Sequence, residues 1–110
     1  MSEDDLIEAL KALAHPLRFR ILAALAAGER NVGEIEEVTG ITQPTLSQQL
    51  GVIRAAGLVE TRKAAKLVFY RIDKPALAAI SAAIGDFSPA APQAEAKRPA
   101  AGAANIARLG

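Results

Sequence analysis

Few residues of this 110-residue chain could do covalent or proton-transfer chemistry. Cysteine is absent, which excludes disulfides, thiolate metal sites and thiol redox switches together. The single histidine, His15, stands before Pro16 at a helix junction, where a neutral ring caps or packs. No Gly-rich phosphate loop accompanies it, and no nucleophile–base pair can be assembled around it. Glu36 and Glu37 are adjacent and diverge on a helix, so they form no acid–base dyad. The chain therefore reads as a binding protein and not as an enzyme. What remains is hydrogen bonding. Gln43, Thr45, Ser47 and Gln48 cluster in one short stretch. An exposed glutamine can make paired hydrogen bonds to an adenine edge, and small hydroxyls serve either bases or phosphates. Arg54, Arg62, Lys63, Lys66 and Arg71 follow, cations suited to phosphate oxygens. Residues 1–40 carry four basic and eight acidic groups, whereas residues 41–75 carry six basic and two acidic ones. A compact basic segment thus coincides with the polar cluster, as a nucleic-acid surface requires.

The elements that must position these groups follow from periodicity and punctuation. Ser2 with Asp5 forms a capping box for a first helix whose stripe is Leu6, Leu10 and Leu13, flanked by Ile7. His15-Pro16 breaks that pattern and opens a second helix through Leu17, Ile21, Leu22 and Leu25, stopping at Gly28. Asn31 with Glu34 starts a short third helix with Val32, Ile35 and Val38 inward. Gly40 ends it and Ile41 fills the corner; Thr42 is expected to cap a fourth helix, with Pro44 in its first turn. Leu46, Leu50 and Ile53 face the core until Gly57, and the opposite face carries Gln43, Thr45, Ser47, Gln48 and Arg54. This is a helix-turn-helix.

After Gly57 the period changes from helical to alternating. Leu58–Arg62 and Leu67–Ile72 read as two strands, with Val68, Tyr70 and Ile72 on one face and a basic tip, Lys63-Ala64-Ala65-Lys66. Alanine at that tip makes positive backbone dihedrals costly and leaves the turn geometry open. Asp73 and Pro75 begin a fifth helix with Leu77, Ile80 and Ile84 set among alanines. The predicted fold is mainly α with a small β-hairpin: a winged helix-turn-helix of five helices and a two-stranded wing, homodimeric, over residues 1–85. Residues 86–110, rich in alanine and proline, are expected to be a disordered tail.

No run is apolar enough for a membrane span, and the acidic start is unlike a signal peptide, so a cytoplasmic protein is expected. One domain with a modest core fits this length, and partner burial is expected to matter. Leu6, Leu10, Leu77, Ile80 and Ile84 on the first and fifth helices are the predicted dimer interface.

Four stretches carry a resemblance: Leu13-Ala14-His15-Pro16-Leu17-Arg18, Ile21-Leu22-Ala23-Ala24-Leu25, Gln43-Pro44-Thr45-Leu46-Ser47-Gln48-Gln49-Leu50 and Arg54-Ala55-Ala56-Gly57-Leu58-Val59. Together they make the segment from Leu10 to Asp73 resemble the arsenic-repressor (ArsR/SmtB) family of bacterial transcriptional regulators. The wording of Ser47-Gln48-Gln49-Leu50 is closest to the branch that senses sulfide, persulfide or redox state. The resemblance implies a homodimer that binds double-stranded DNA at an inverted-repeat operator and represses transcription. It lays the base-reading surface on Gln43, Thr45, Ser47 and Gln48, with Arg54, Arg62, Lys63 and Lys66 as phosphate contacts. It also marks a departure. Where metal-sensing members place thiols on the third helix this chain has Asn31 and Gly33, and the sulfur-sensing thiol position on the second helix is Ala23. The last helix offers only Asp73 and Asp86 as metal ligands, so neither metal nor cofactor is expected. A ligand-free repressor, a small-molecule effector and control by a partner protein all remain compatible with these residues. Because the fold does not dictate DNA binding, a winged-helix protein–protein interaction module is the rival reading. The basic segment and the Gln/Thr/Ser face favour DNA.

Overall fold

A computed structural model describes residues 1–88, so the expected tail lies outside the described residues from residue 89 onward. The element order is α1 (Glu3–Leu13), α2 (Pro16–Ala26), β1 (Arg30–Asn31), α3 (Val32–Thr39), α4 (Thr45–Ala55), β2 (Val59–Ala64), β3 (Leu67–Ile72) and α5 (Lys74–Gly85). Four of the helices begin as their sequences dictate, α5 through the Asp73 carboxylate, which accepts from the Ala76 N–H at 3.1 Å with Pro75 in the first turn. Ser2 and Asp5 exchange hydrogen bonds in a capping box, and Asn31 and Glu34 do the same. His15 caps α2 by accepting from the Leu17 N–H at 3.1 Å, with Pro16 behind it in the first turn.

The core is built from Ile21, Leu22 and Leu25 of α2, Ile35, Ile41, Leu46, Leu50 and Ile53 of the helix-turn-helix, and Leu58, Val59 and Ile80. From α1 the buried residues are Ala9 and Ala12, while Leu6, Leu10 and Leu13 are only half-buried. The small methyl side lets α1 lie close, which turns its leucine stripe partly outward. In α3 the inward row is Val32, Ile35 and Thr39. Val38, expected inside, is 52% exposed. Thr39 takes the inward place because its hydroxyl donates to the Ile35 carbonyl at 2.7 Å and accepts from the Ile41 N–H at 3.2 Å, leaving no buried polar atom unmet.

The wing is larger by one strand than the two expected. The sheet order is β1-β3-β2, all antiparallel, with Arg30 opposite Tyr70 and Asn31 opposite Phe69. A two-residue strand has no period of its own; it exists because β3 passes beside it. Between β2 and β3 the register runs from Val59 opposite Ile72 to Ala64 opposite Leu67, so both strands extend almost to the tip.

Candidate nucleic-acid interface

The fourth helix is fixed from behind. Leu46, Leu50 and Ile53 are buried to 3% exposure or less, so the opposite face must point to solvent. Its start differs from the expectation. Pro44 stands at the N-cap without a side-chain capping bond, and α4 begins at Thr45. Thr42 does not cap. Gln43 does so instead: its Oε1 accepts from the Ser47 N–H at 3.0 Å and from the Ser47 hydroxyl at 2.7 Å. Gln43 and Ser47 are thereby locked together, leaving the Gln43 Nε2 as a donor and the Ser47 Oγ as an acceptor. Gln48 is exposed and, among the described residues, its side chain makes no intramolecular hydrogen bond, so its amide keeps a donor and an acceptor side by side. Thr45 is half-buried at the first position, and Arg54 is exposed in the last turn.

Gly57, at φ 78°, ends the helix in the left-handed conformation, and fully buried Leu58 anchors the turn into β2. The Asp73 N–H donates to the Leu58 carbonyl at 3.0 Å and closes the base of the hairpin. The fourth helix and the hairpin are therefore held together by a short covalent link whose Leu58 and Val59 are both buried. At the tip, Ala65 adopts φ 57° in a two-residue turn, and Lys63 and Lys66 flank it in the open.

Arg62 is placed differently from these lysines. Its Nε and NH2 both reach the Glu29 carboxylate at 2.8 Å, and its guanidinium lies 4.7 Å from the centre of the Phe69 ring. This is a bidentate, ring-stacked pair that ties the wing to the loop before β1. The hydrogen bond from Arg62 is the main reason the Glu29 carboxyl lies below the usual carboxylate range; partial desolvation opposes it, and the positive charges of Arg62 and Arg71 add to it. Arg71 pairs with Glu60 across the strands at 2.9 Å. Among the described residues the remaining ion pair joins Lys11 and Glu8, so Arg54, Lys63 and Lys66 are the expected phosphate ligands left unpaired. A cleft of about 760 Å³ between α2, the outer wing and α5 is lined by both arginine–glutamate pairs. An anion entering it would compete with a carboxylate already seated there.

Of the expected dimer residues, Leu6, Leu10 and Leu77 are half-buried and Ile84 is 45% exposed. Ile80, expected with them, points into the core of its own chain. Ile7 on α1 and Phe87, just past the end of α5, add exposed apolar surface. Two polar residues carry roles that no sequence motif marks: Glu29, which holds the wing, and Arg18, whose guanidinium contacts α1 and the side chain of Gln49 on α4. A cation in the first turn of a helix opposes the helix dipole, which is the one sequence signal that Arg18 is held by something specific. Among the described residues no cluster of metal-ligating side chains occurs, and no helix is long and apolar enough to cross a membrane. Ala23 is exposed on α2, and the Asn31 side chain is occupied by its cap.

Residues 15–61 match the bacterial regulatory protein, arsR family. A biofilm growth-associated repressor of Xylella fastidiosa is 51% identical over 69 residues, which are 63% of this chain and 60% of that protein. The chain thus spans less than two thirds of that curated relative. The crystal structure of the transcriptional repressor BigR from Xylella fastidiosa superposes with a TM-score of 0.62 at 45% identity, covering 76% of this chain and 87% of that one. The homodimeric winged helix-turn-helix DNA-binding domain of Mb0332 from Mycobacterium bovis gives a TM-score of 0.63 at 35% identity, covering 78% and 88%.

Proposed function

The chain belongs to the arsR family of bacterial regulatory proteins, whose members bind DNA and are not enzymes, and from that membership we propose that it is a sequence-specific transcriptional repressor. The observation that carries this reading is the amphipathic build of α4: three nearly inaccessible apolar residues behind, and Gln43, Thr45, Ser47, Gln48 and Arg54 in front. Gln48 retains the donor–acceptor pair that an adenine edge needs in the major groove. Lys63 and Lys66 on the hairpin supply backbone charge, while Arg62 reaches a phosphate only by leaving Glu29.

The operator-binding form is a homodimer joined through α1 and α5. Leu6, Leu10, Leu77 and Ile84 support this, as does the homodimeric state named for the Mycobacterium bovis relative. A two-fold dimer presents its α4 helices to successive major grooves, so the operator is an inverted repeat with half-sites about one helical turn, or a multiple, apart. Thiol sensing plays no part because the chain has no cysteine, and among the described residues no cluster of metal-ligating side chains offers a metal-sensing site.

The test is a contrast between two substitutions, measured on a duplex enriched by the wild-type protein from a randomised pool and on a scrambled duplex. Gln48→Ala costs about 1–3 kcal/mol on the enriched duplex and little on the scrambled one. Lys66→Ala weakens both equally and flattens the salt dependence by about one unit per lost phosphate contact. Equal weakening by Gln48→Ala would remove α4 as the reader.

A further inference from the structure

Arg18 joins three parts of the fold that have no backbone link at that point. Its Nε donates to the Ala12 carbonyl at 2.6 Å and its NH2 to the Lys11 carbonyl at 3.4 Å. Both carbonyls belong to the last turn of α1, where no further helical N–H follows to satisfy them. The backbone N–H groups beyond the helix go elsewhere, Ala14 to Leu10 and His15 to Leu13. Capping α1 with a cation at its negative end accounts for two arms of the guanidinium. It does not account for the third. NH1 donates at 2.8 Å to the Oε1 of Gln49, in the middle of α4 and 31 residues away in sequence.

Gln49 sits between the two faces of α4. It lies about 60° around the helix from the buried row of Leu46, Leu50 and Ile53, and about 100° from Gln48. Its half-buried side chain turns toward α1 and α2, away from the exposed front. Core packing through Leu46, Leu50 and Ile53 fixes which face of α4 turns inward, but those apolar contacts carry no directional bond to set the fine rotation of the helix. The Arg18–Gln49 hydrogen bond, off that buried row, is directional.

We propose that Arg18 and Gln49 form a positioning pair that sets the rotation of the recognition helix about its own axis, and with it the reach of Gln48 and Ser47 into the groove. The pair rests on the DNA-reading role of α4. Arg18 takes its own reference from the α1 carbonyls, so the recognition helix is indexed to the end of the helix that carries the dimer face. A planar guanidinium can hold all three acceptors in fixed geometry; an ammonium cannot.

The experiment uses the full chain and the wild-type-enriched duplex against its scramble, and reads the ratio of the two affinities. Gln49→Leu keeps the α1 cap and removes the acceptor; Arg18→Gln removes the fork. Each is expected to lower the ratio about tenfold, as small misplacements of a working group do. The double variant loses no more than either single, since both break one link. Gln49→Glu preserves the link and the ratio, while its charge weakens both duplexes alike. Arg18→Gln leaves the salt slope unchanged; a slope flatter by about one would make Arg18 a phosphate contact and overturn the proposal. So would an unchanged ratio in Gln49→Leu, read well below its melting midpoint. If Arg18→Gln lacks a cooperative melt, Gln49→Leu decides alone. If the wild-type protein enriches no sequence, DNA reading itself fails, a result distinct from either.

Discussion

At the wing tip Ala65 holds a left-handed backbone, φ 57°, that costs a residue with a β-carbon roughly 1–2 kcal/mol. Glycine removes that cost but adds about 0.5–1 kcal/mol of unfolded-chain entropy. Ala65→Gly is therefore expected to stabilise the fold by about 0.5 kcal/mol, read as a higher urea or thermal midpoint; a lower midpoint would contradict the turn geometry. Glu29 makes a second residue-scale prediction. Its carboxyl is held below the ordinary range, so the stability it contributes is complete above that range and is lost as pH falls through the depressed value. The Glu29–Arg62 clamp should hold at neutral pH and through the range where an ordinary glutamate protonates, and open only as pH falls through the depressed Glu29 value. A carbon-detected titration of the Glu29 carboxyl gives its midpoint, and a midpoint at or above that of an unfolded glutamate would refute the clamp.

The start of α4 is the element whose chemistry departs most from its sequence signals. Thr42 and Pro44 look like cap and first turn, yet the acceptor for the Ser47 N–H is the Gln43 side chain. Gln43→Ala should cost about 0.5–2 kcal/mol, the usual range for losing a helix cap, whereas Thr42→Ala should cost almost nothing. Denaturant unfolding of the two variants side by side separates the assignments. The helix needs this cap because, among the described residues, no other side chain bonds to its first N–H groups. The same bond consumes half of the hydrogen-bonding capacity of Gln43, which leaves Gln48 as the residue best equipped for paired recognition.

For the whole molecule, the half-buried leucines of α1, packed on the core along one side, and the exposed end of α5 leave apolar surface uncovered among the described residues. Ile84→Asp puts a charge on that surface and is expected to convert the proposed dimer to a monomer, with loss of the proposed operator binding while the chain stays folded. Ile80→Ala acts otherwise: it empties a buried site, costs about 2–5 kcal/mol and lowers the melting midpoint. Light scattering together with thermal melting distinguishes the two. A dimeric Ile84→Asp variant would move the interface off α5.

Periodicity and end signals are local, and they determined most of this protein's elements. The capping boxes at Ser2 and Asn31, the His15-Pro16 junction, the stops at Gly40 and Gly57 and the alternation of Val68, Tyr70 and Ile72 all involve neighbours within a few residues, so they are legible without a fold. The polar front of α4 is legible for the same reason, since a buried row at helical spacing implies its opposite. Tertiary structure decided what depends on chain segments meeting at a distance. β1 exists only where β3 runs beside it, and Thr39 replaces Val38 inside only because Ile41 offers its N–H. Arg62 looks like Lys63 and Lys66 until Glu29, 33 residues earlier, is brought to 2.8 Å. Arg18 is an unremarkable helix-start cation until the end of α1 and the middle of α4 converge on its fork. Periodicity records which side of an element is apolar; which acceptor a cation finds is set by the packing of elements that the local pattern does not encode.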